Sequence, residues 1–289
     1  MKKLRRSMLF CPANEPKMYI DAPIYKPDCI IFDLEDSILY SEKDSARDLL
    51  CEAIKTLDFD DIEIYARINQ LTTEFGECDV RETVKAGIRN IRLPMCEDKQ
   101  DVERLDALLS SIEKDMGIEN GTIKIQCAIE TPKGVLNAFE IAKSSKRVTS
   151  ISFGAEDYTN SLGTDRTKNS IQFVYARSYI PLVASTVGID SIDTVWSDVK
   201  DTEGFIKETQ EAKFLGFSGK SCIHPTQVME VRKIYSPSPL EIEKAEKIVK
   251  AAVDAEKEQR GVVLVDGKMI DVPIIKKAER ILELAEIKE

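Results

Sequence analysis

Eight short apolar runs recur along this chain, and each ends in polar residues or in glycine or proline. Most of the segments between them are long enough for a helix. Strands that are apolar along nearly their whole length are typical of parallel sheets, because such sheets are buried on both faces. The runs that we predict to be strands are SMLFCP (7–12), CIIFDLED (29–36), IEIYARIN (62–69), IRNIRLP (88–94), IKIQCAIE (123–130), VTSISFGAED (148–157), IDTVWSD (192–198) and KSCIHP (220–225).

Several of the intervening segments carry apolar residues at helical spacing. Eight strand–helix units in about 230 residues predict an α/β protein with a (β/α)8 barrel, the TIM-barrel fold. A doubly wound open sheet is the alternative, and it is less favoured because no G-x-G-x-x-G or Walker motif follows any run. The amphipathic segments include EKDSARDLLCEAIKTL (42–57), DVERLDALLSSIEKDM (101–116) and VYARSYIPLVASTVG (174–188).

The pattern changes after the eighth run. A long helix is predicted, then two short apolar runs that flank the turn signal Asp266-Gly267, and then a closing helix. We therefore predict a barrel domain at 1–235 and a C-terminal helix–hairpin–helix extension at 236–289. About 50 residues are too few for an independent domain with a large core. The extension is expected to act as a lid or as an oligomer contact.

The net charge of −10 and the pI near 5.0 disfavour a nucleic-acid-binding protein, because phosphate binding requires clustered lysine and arginine. No apolar run approaches the length of a membrane span. The basic start of the chain is followed by SMLFCPANEPKM, which lacks the apolar core and cleavage site of a secretory signal. We therefore expect no membrane association and no secretion.

Seven cysteines occur at wide spacings, with no C-x-x-C motif. An odd number of scattered cysteines, several inside apolar runs, predicts free thiols in a reducing cytoplasm. A zinc site is not supported, because the sequence has one histidine and no paired cysteines.

Polar residues end most of the apolar runs. In a (β/α)8 barrel the carboxyl ends of the strands form the rim of the active site. This explains how two adjacent carboxylates can follow an apolar strand: they would lie at the rim and not in the core. The candidate rim residues are Glu35, Asp36, Arg67, Asn69, Arg92, Glu130, Glu156, Asp157, Asp198 and His224.

Glu130 and Asp157 end neighbouring runs and have no histidine or cysteine nearby. Two carboxylates form a hard-oxygen site of the kind that Mg²⁺ prefers, with water and substrate completing the coordination. The alternative is a solvated pair, or salt bridges with Arg67 or Arg92.

Two further candidates have open roles at this stage. The guanidinium group of Arg67 suits a substrate carboxylate, but it could equally hold Glu35 or Asp36 in place. His224 could be a general base, although a histidine before proline at a strand end is often a structural hydrogen-bond donor.

Ten motifs, taken in order from Arg5 to about Leu284, resemble the citrate lyase β-subunit family, within the wider group of citryl-, malyl- and citramalyl-thioester lyases. The segments IIFDLEDS and GAEDY are the most diagnostic. The full set is RRSMLFCPAN, IIFDLEDS, EKDSAR, ARIN, IRLP, AIETPKGV, GAEDYTNSLGTDRT, DTVWSDVKDTEGF, LGFSGKSCIHPTQ and GKMIDVP.

The resemblance implies a (β/α)8 barrel that uses Mg²⁺ to cleave a citryl thioester into oxaloacetate and an acetyl thioester. It implies two partner proteins in a lyase complex. One is a small acyl carrier (γ) subunit that holds the thioester on a phosphopantetheine-type arm, and the other is an α subunit that makes the citryl thioester. It also implies a homo-oligomer, with a trimer as in related lyases.

Residue by residue, the resemblance implies that Glu130 and Asp157 are metal ligands. Arg67 falls on the residue that binds the oxaloacetate part of the substrate, which Glu130 also touches. Physical chemistry is compatible with this set, because bond cleavage in a 3-hydroxy thioester needs a polarised hydroxyl group and a neutralised carboxylate.

Asp271 falls on a C-terminal acidic residue that reaches a neighbouring subunit's active site in related lyases. Glu35 and Asp36 then correspond to acids around the metal and its waters. One departure is Thr131, where the family often has serine, and it leaves the metal ligand untouched. The basic cluster of Lys2, Lys3, Arg5 and Arg6 could meet the arm's phosphate or an acidic carrier surface, or it could be a solvated chain start.

Three competing functions remain. A stand-alone malyl-CoA or citramalyl-CoA lyase would have the same rim residues. A metal-dependent pyruvate aldolase would need a histidine base near an early strand, and no histidine precedes His224. A non-catalytic scaffold for carrier proteins would not need Arg67, Glu130 and Asp157 at one rim.

Overall fold

The computed structural model of the chain describes residues 4–167, 171–257, 263–265 and 268–286. Eight parallel strands follow one another around a closed barrel in sequence order, and the last strand pairs with the first. This confirms the predicted (β/α)8 barrel. The barrel strands are β1 (Ser7–Pro12), β2 (Cys29–Asp33), β3 (Glu63–Arg67), β4 (Asn90–Leu93), β5 (Lys124–Ile129), β6 (Val148–Phe153), β7 (Asp190–Asp193) and β8 (Gly219–Cys222).

Helices connect the strands, and each presents an apolar face to the barrel wall. The α-helices of this part are α1 (Pro16–Asp21), α2 (Lys43–Thr56), α3 (Gly76–Ala86), α4 (Lys99–Met116), α5 (Pro132–Lys143), α6 (Ala155–Leu162), α7 (Val174–Val187), α8 (Thr202–Leu215) and α9 (Pro225–Tyr235). Short 3₁₀ turns lie at Ala22–Tyr25, Tyr40–Glu42 and Ile171–Phe173.

Seven of the eight strands, all except β1, end earlier than the apolar runs predicted, and this changes where the polar residues lie. Glu156 and Asp157 do not end β6 but form the first turn of α6. Gly154 is the single residue between β6 and α6, so the sequence pattern gave no sign that the strand had ended and a helix had begun. Asp198 lies several residues beyond the end of β7, and His224 lies two residues beyond the end of β8.

The opposite end of the barrel carries a second set of ion pairs. Arg5 Nε and Nη2 donate to Glu63 at 2.7 and 2.9 Å, and Arg5 Nη1 donates to Asp190 at 3.0 Å. Arg6 contacts Asp28 at 2.9 Å. The three carboxylates lie before or at the starts of β2, β3 and β7, and the two arginines precede β1, so Arg5 and Arg6 close the base of the barrel. The contact of the basic cluster with a carrier's phosphate stays a prediction, and Lys2 and Lys3 lie outside the described residues.

The chain divides into two compact units, residues 1–232 and 233–289. The second unit contains α10 (Pro239–Lys257), β9 (Val263–Val265), β10 (Lys268–Ile270) and α11 (Val272–Glu286). β9 and β10 pair antiparallel, with Lys268 opposite Val265. The predicted turn at Asp266-Gly267 lies outside the described residues. The division into a catalytic domain at 1–235 and a lid or oligomerisation extension at 236–289 stays a prediction.

All seven cysteines are free, and six of them are buried. Among the described residues, no helix combines the length and the apolar character needed to cross a membrane.

Candidate active site

A cavity of about 410 Å³ opens at the carboxyl ends of the barrel strands. Its wall combines aromatic side chains with an unusual density of charges. It is lined by residues that include Phe10, Asp33, Asp36, Arg67, Arg92, Glu130, Phe153, Glu156 and Asp157. These residues come from six strands or the segments that follow them, so the closure of the barrel brings them together.

Arg67 and Asp33 form the ion pair at the centre of one wall. Parallel pairing of β2 and β3 places the two residues side by side, and Arg67 Nε and Nη2 donate to Asp33 at 2.6 and 2.7 Å. Burial alone would raise the pKa of Asp33, but the charge and hydrogen bonds of Arg67 lower it to about 2. Asp33 was not among the predicted site residues, because a single carboxylate inside an apolar strand gave no sign of its partner.

Asp33 also shapes the loop that follows β2. Its two carboxylate oxygens accept hydrogen bonds from the backbone N–H groups of Glu35 (2.9 Å) and Ser37 (3.0 Å). Lys43 Nζ donates to the carbonyl groups of Leu34 and Glu35 from the first turn of α2. The loop is therefore fixed from both sides.

Asp36 and Glu35 both lie against Arg67. Arg67 Nη1 donates to Asp36 Oδ2 at 3.0 Å, and it lies 3.2 Å from Glu35 Oε2 without hydrogen-bond geometry. Burial raises the pKa of Glu35 to about 8, although the charge of Arg67 opposes this shift. Arg67 thus holds the acidic loop, which is one of the two roles that the sequence left open. Its place in the cavity wall also leaves it able to bind a substrate carboxylate, the other role.

Glu130 lies directly after β5 and is 4% exposed. Its Oε2 accepts a hydrogen bond of 2.9 Å from the backbone N–H of Met95, which adopts a left-handed conformation with φ of 50°. Gly154 leaves room for this carboxylate, because a Cβ atom at position 154 would lie 2.4 Å from Glu130 Cγ. The N–H of Met95 therefore holds this carboxylate, and the missing side chain of Gly154 leaves the space that it occupies.

Asp157 faces the same cavity from the first turn of α6. Burial and then the negative charge of Glu130 raise its pKa. The adjacent Glu156 accepts a hydrogen bond of 2.6 Å from Arg166 Nη1. Arg166 Nη2 in turn donates to the carbonyl of Val195 at 2.7 Å, so the start of α6 is tied to the segment after β7.

The carboxylates of Glu130 and Asp157 fit a magnesium ion. Their mutual repulsion, which appears in the raised pKa of Asp157, is the repulsion that a divalent cation between them would offset. The described residues contain no cluster of three or more histidine, cysteine or acidic side chains that could hold a metal. Two carboxylates suffice for Mg²⁺, which keeps several waters and binds substrate oxygens.

Arg92 reaches the cavity from β4 and is 3% exposed. Its Nη1 donates to Gln126 at 2.6 Å, and its Nη2 lies 3.9 Å from Glu130 Oε1. Burial lowers the pKa of Arg92 to about 10, despite the charge of Glu130. The guanidinium groups of Arg67 and Arg92 lie 5.2 and 5.1 Å from the ring centroid of Phe10.

Other predicted rim residues serve the scaffold. Asn69 donates to Leu34 and Asp79 beside the cavity, and Asp198 accepts the N–H of Lys200 in a turn. His224 Nδ1 lies 2.9 Å from Thr226 Oγ1 and accepts the backbone N–H of Thr226 at 3.3 Å at the start of α9. His224 is not among the cavity-lining residues.

Two predicted residues lie at helix starts. Thr131 caps α5 by accepting the N–H of Gly134, a role that serine fills equally well. Asp271 lies in the second unit, where its Oδ1 accepts the N–H of Ile274 at 3.2 Å and caps α11.

Comparison with known proteins adds the following similarities. Residues 6–225 match the family described as HpcH/HpaI aldolase/citrate lyase. The chain is 44% identical to the citrate lyase subunit beta of Haemophilus influenzae, over 98% of this chain and 97% of that protein. It is 29% identical to the mitochondrial citramalyl-CoA lyase of Rattus norvegicus, over 97% and 86%. A solved structure of the protein CitE from Mycobacterium tuberculosis in complex with magnesium, acetoacetate and coenzyme A is 28% identical, with a TM-score of 0.78 over 99% of this chain and 100% of that one.

Proposed function

Because this chain belongs to the HpcH/HpaI aldolase/citrate lyase family, we propose that it is the β subunit of a citrate lyase. It cleaves a citryl thioester into oxaloacetate and an acetyl thioester. The observation that carries this proposal is the convergence of Glu130, Asp157 and two arginines on one cavity at the carboxyl end of the barrel. The 44% identity to a citrate lyase β subunit, against 29% to a citramalyl-CoA lyase, favours the citryl thioester.

Glu130 and Asp157 are the proposed ligands of the Mg²⁺ ion. When bound there, this ion would supply Lewis acidity to the substrate's hydroxyl group and would orient it. Met95 and Gly154 keep the carboxylate of Glu130 in place, so this ligand pays little conformational entropy on binding. Glu35 and Asp36 are assigned to the waters around the ion.

The reaction converts the hydroxyl-bearing carbon into a ketone. The hydroxyl group gives its proton to a carboxylate of the cavity, the adjacent carbon–carbon bond breaks, and its electron pair forms the enolate of the acetyl thioester, which then takes a proton from a carboxyl group. Arg67 neutralises a substrate carboxylate, and Asp33 keeps its guanidinium group charged and oriented. The apolar walls supplied by Phe10 and Phe153 exclude water and strengthen these charge interactions.

We assign the proton transfer at the enolate to Asp271 of a neighbouring subunit in a homotrimer. Its exposed position after β10 supports this assignment, whereas its cap on α11 supports a purely structural role. Mixing Asp271→Asn and Glu130→Ala variants under subunit exchange should restore part of the activity, because some sites then combine both intact residues. Absence of recovery after verified exchange would contradict action in trans.

The substrate is carried on the phosphopantetheine-type arm of an acyl carrier (γ) subunit or on coenzyme A, and an α subunit supplies the citryl thioester. We place the complex in the cytoplasm, where the seven free cysteines stay reduced. A complex of all three subunits should be recovered when the carrier and α subunits are co-expressed with this chain.

The decisive experiment is turnover of synthetic citryl, citramalyl and malyl thioesters by the purified chain with Mg²⁺. We expect the highest kcat/KM with the citryl thioester and loss of activity on chelation. Higher kcat/KM with the citramalyl or malyl thioester would instead identify a stand-alone citramalyl-CoA or malyl-CoA lyase. Activity that survives exhaustive chelation would contradict the metal assignment.

A further inference from the structure

The guanidinium group of Arg92 is buried but makes no hydrogen bond to a carboxylate among the described residues. One hydrogen bond, of 2.6 Å, joins it to the neutral side chain of Gln126. The nearest carboxylate is that of Glu130, whose Oε1 lies 3.9 Å from Nη2. Its Nε has no hydrogen-bond partner among the residues that the structure describes. A buried cation in this state is costly unless a ligand supplies the missing charge and acceptors.

Other buried arginines of the barrel are matched much more closely. Arg67 donates two hydrogen bonds to Asp33, and Arg177 donates two to Asp193. Arg147 donates to Glu113 at 2.8 and 2.6 Å. Arg92 differs from these three because no carboxylate lies within hydrogen-bond distance of its guanidinium group. Arg92 also lines the open cavity. The exception therefore lies where a ligand can reach it.

The substrate proposed above provides a suitable anion, and this inference rests on that proposed function. A citryl thioester has two free carboxylates. One is attached to the hydroxyl-bearing carbon, and the other ends a CH₂ arm on the same carbon. A citramalyl thioester has a methyl group in place of this arm, and a malyl thioester has a hydrogen atom. A residue that binds the arm's carboxylate would distinguish the citryl thioester from both.

We propose that Arg92 binds this second carboxylate and so selects citryl over citramalyl and malyl thioesters. Arg67 and Arg92 are paired residues on adjacent strands, and the ring of Phe10 lies about 5 Å from both guanidinium groups. The cavity thus presents two cations to a substrate with two carboxylates. Arg67 shares its charge with Asp33 and Asp36, so of the two guanidinium groups Arg92 gains more from a new anion.

The test compares ligands that differ only in this carboxylate. Oxaloacetate and pyruvate are the keto products from citryl and citramalyl thioesters, and pyruvate lacks the CH₂-linked carboxylate. Their dissociation constants with Mg²⁺ present are measured by calorimetry for the native chain, Arg92→Gln and Arg92→Lys. We expect Arg92→Gln to weaken oxaloacetate binding by about 100-fold, as for loss of a buried charge pair. Pyruvate binding should change by less than about threefold. Arg92→Lys should recover part of the oxaloacetate affinity, because it keeps the charge.

The same variants are assayed with the two thioesters. Arg92→Gln should lower kcat/KM for the citryl thioester by a much larger factor than kcat/KM for the citramalyl thioester. Equal losses for both ligands and both thioesters, with native thermal unfolding, would overturn the proposal, because Arg92 would then only position Glu130. If the native chain cleaves no citryl thioester yet binds oxaloacetate in an Arg92-dependent way, the proposed function fails and the assignment of Arg92 stands. Equal native affinity for oxaloacetate and pyruvate would overturn the assignment alone.

Discussion

Two groups of buried charges in the same barrel differ in how completely each charge is matched. One group, the buried lysine cluster, consists of Lys220, Asp193, Glu208 and Arg177. Lys220 is fully buried, and its Nζ donates to Asp193 (2.8 Å), Glu208 (2.7 Å) and the carbonyl of Thr194 (2.8 Å). All three N–H donors of the ammonium group are used. Arg177 completes the cluster with two hydrogen bonds of 3.1 Å to Asp193.

The other group lines the cavity and is left incomplete. The described structure gives Arg92 no carboxylate within hydrogen-bond distance, and it gives Glu35 Oε2 no hydrogen bond. The pKa of Asp157 is raised mainly by burial and then by the negative charge of the nearby Glu130. A satisfied network stabilises one arrangement of the chain, whereas unsatisfied buried groups that line an open cavity are placed where a ligand can complete them. Lys220 is therefore a structural residue and not a Schiff-base lysine, although a buried lysine in a barrel invites that interpretation.

The strongest way to break this contrast is to remove a charge from the incomplete group. Glu130→Gln keeps the shape of the side chain but removes a proposed metal ligand. We expect turnover to fall by about 10³-fold or more, with the unfolding free energy nearly unchanged. Glu156→Gln is the matched control, because Glu156 lines the same cavity but pairs with Arg166. Turnover in Glu130→Gln close to the native value would refute the assignment.

Removing a charge from the buried lysine cluster should lower stability and leave substrate binding nearly unchanged. Asp193→Asn leaves Lys220 and Arg177 without their shared carboxylate, so we expect a loss of about 3–5 kcal/mol in unfolding free energy. The KM of the protein that remains folded should stay close to the native value. Urea unfolding and steady-state kinetics at low temperature measure the two quantities. A normal stability combined with a raised KM would place this cluster in the catalytic machinery.

The pH dependence of stability sharpens the comparison further. The pKa of Glu35 rises from its ordinary value of 4.5 to about 8 in the folded chain, mainly because of burial. The folded chain therefore keeps a proton that the unfolded chain releases, and stability falls as the pH rises from about 4.5 to 8. Below this window Glu35 is protonated in both states and contributes nothing.

Glu35→Gln should remove this penalty in the metal-free protein. The variant should be more stable than the native chain by a few kcal/mol near pH 8.5, and the difference should vanish near pH 4.5. Urea unfolding across this range, with chelator present, gives the measurement. A difference that does not vary with pH would show that Glu35 is ionised throughout and matched by Arg67.

The smallest effect is expected where the two groups meet. Arg166 Nη1 holds Glu156 beside the cavity, and its Nη2 lies 3.3 Å from Glu208 of the buried lysine cluster. Arg166→Gln should lower the unfolding free energy by about 1–2 kcal/mol and weaken the apparent Mg²⁺ affinity several-fold, since the first turn of α6 carries Asp157. Titration of activity with Mg²⁺ tests this, with the exposed Arg104→Gln as the control substitution. Unchanged Mg²⁺ dependence would show that α6 holds Asp157 without Arg166.

The sequence predicted the barrel because strands buried on both faces leave a simple apolar pattern. It also placed Arg67 and Glu130 at the rim, since each follows or ends such a run. It did not separate β6 from α6, because a single glycine joins them and no polar residue marks the change. Asp33 was missed for a different reason: its importance depends on pairing with Arg67 across the β2–β3 register, which is a property of the closed barrel and not of either run.

Trp196 gives this chain a built-in optical reporter. It is the sole tryptophan in the sequence, it is 6% exposed, and the guanidinium group of Arg166 lies 5.5 Å from its ring centroid. A buried indole emits towards the blue, and its quantum yield responds to a nearby cation. Arg166 is bonded to Glu156, the neighbour of Asp157. Events at the carboxylates should therefore change the intrinsic fluorescence of the unlabelled protein, so that ion and substrate binding can be followed in a stopped-flow instrument without a coupled assay.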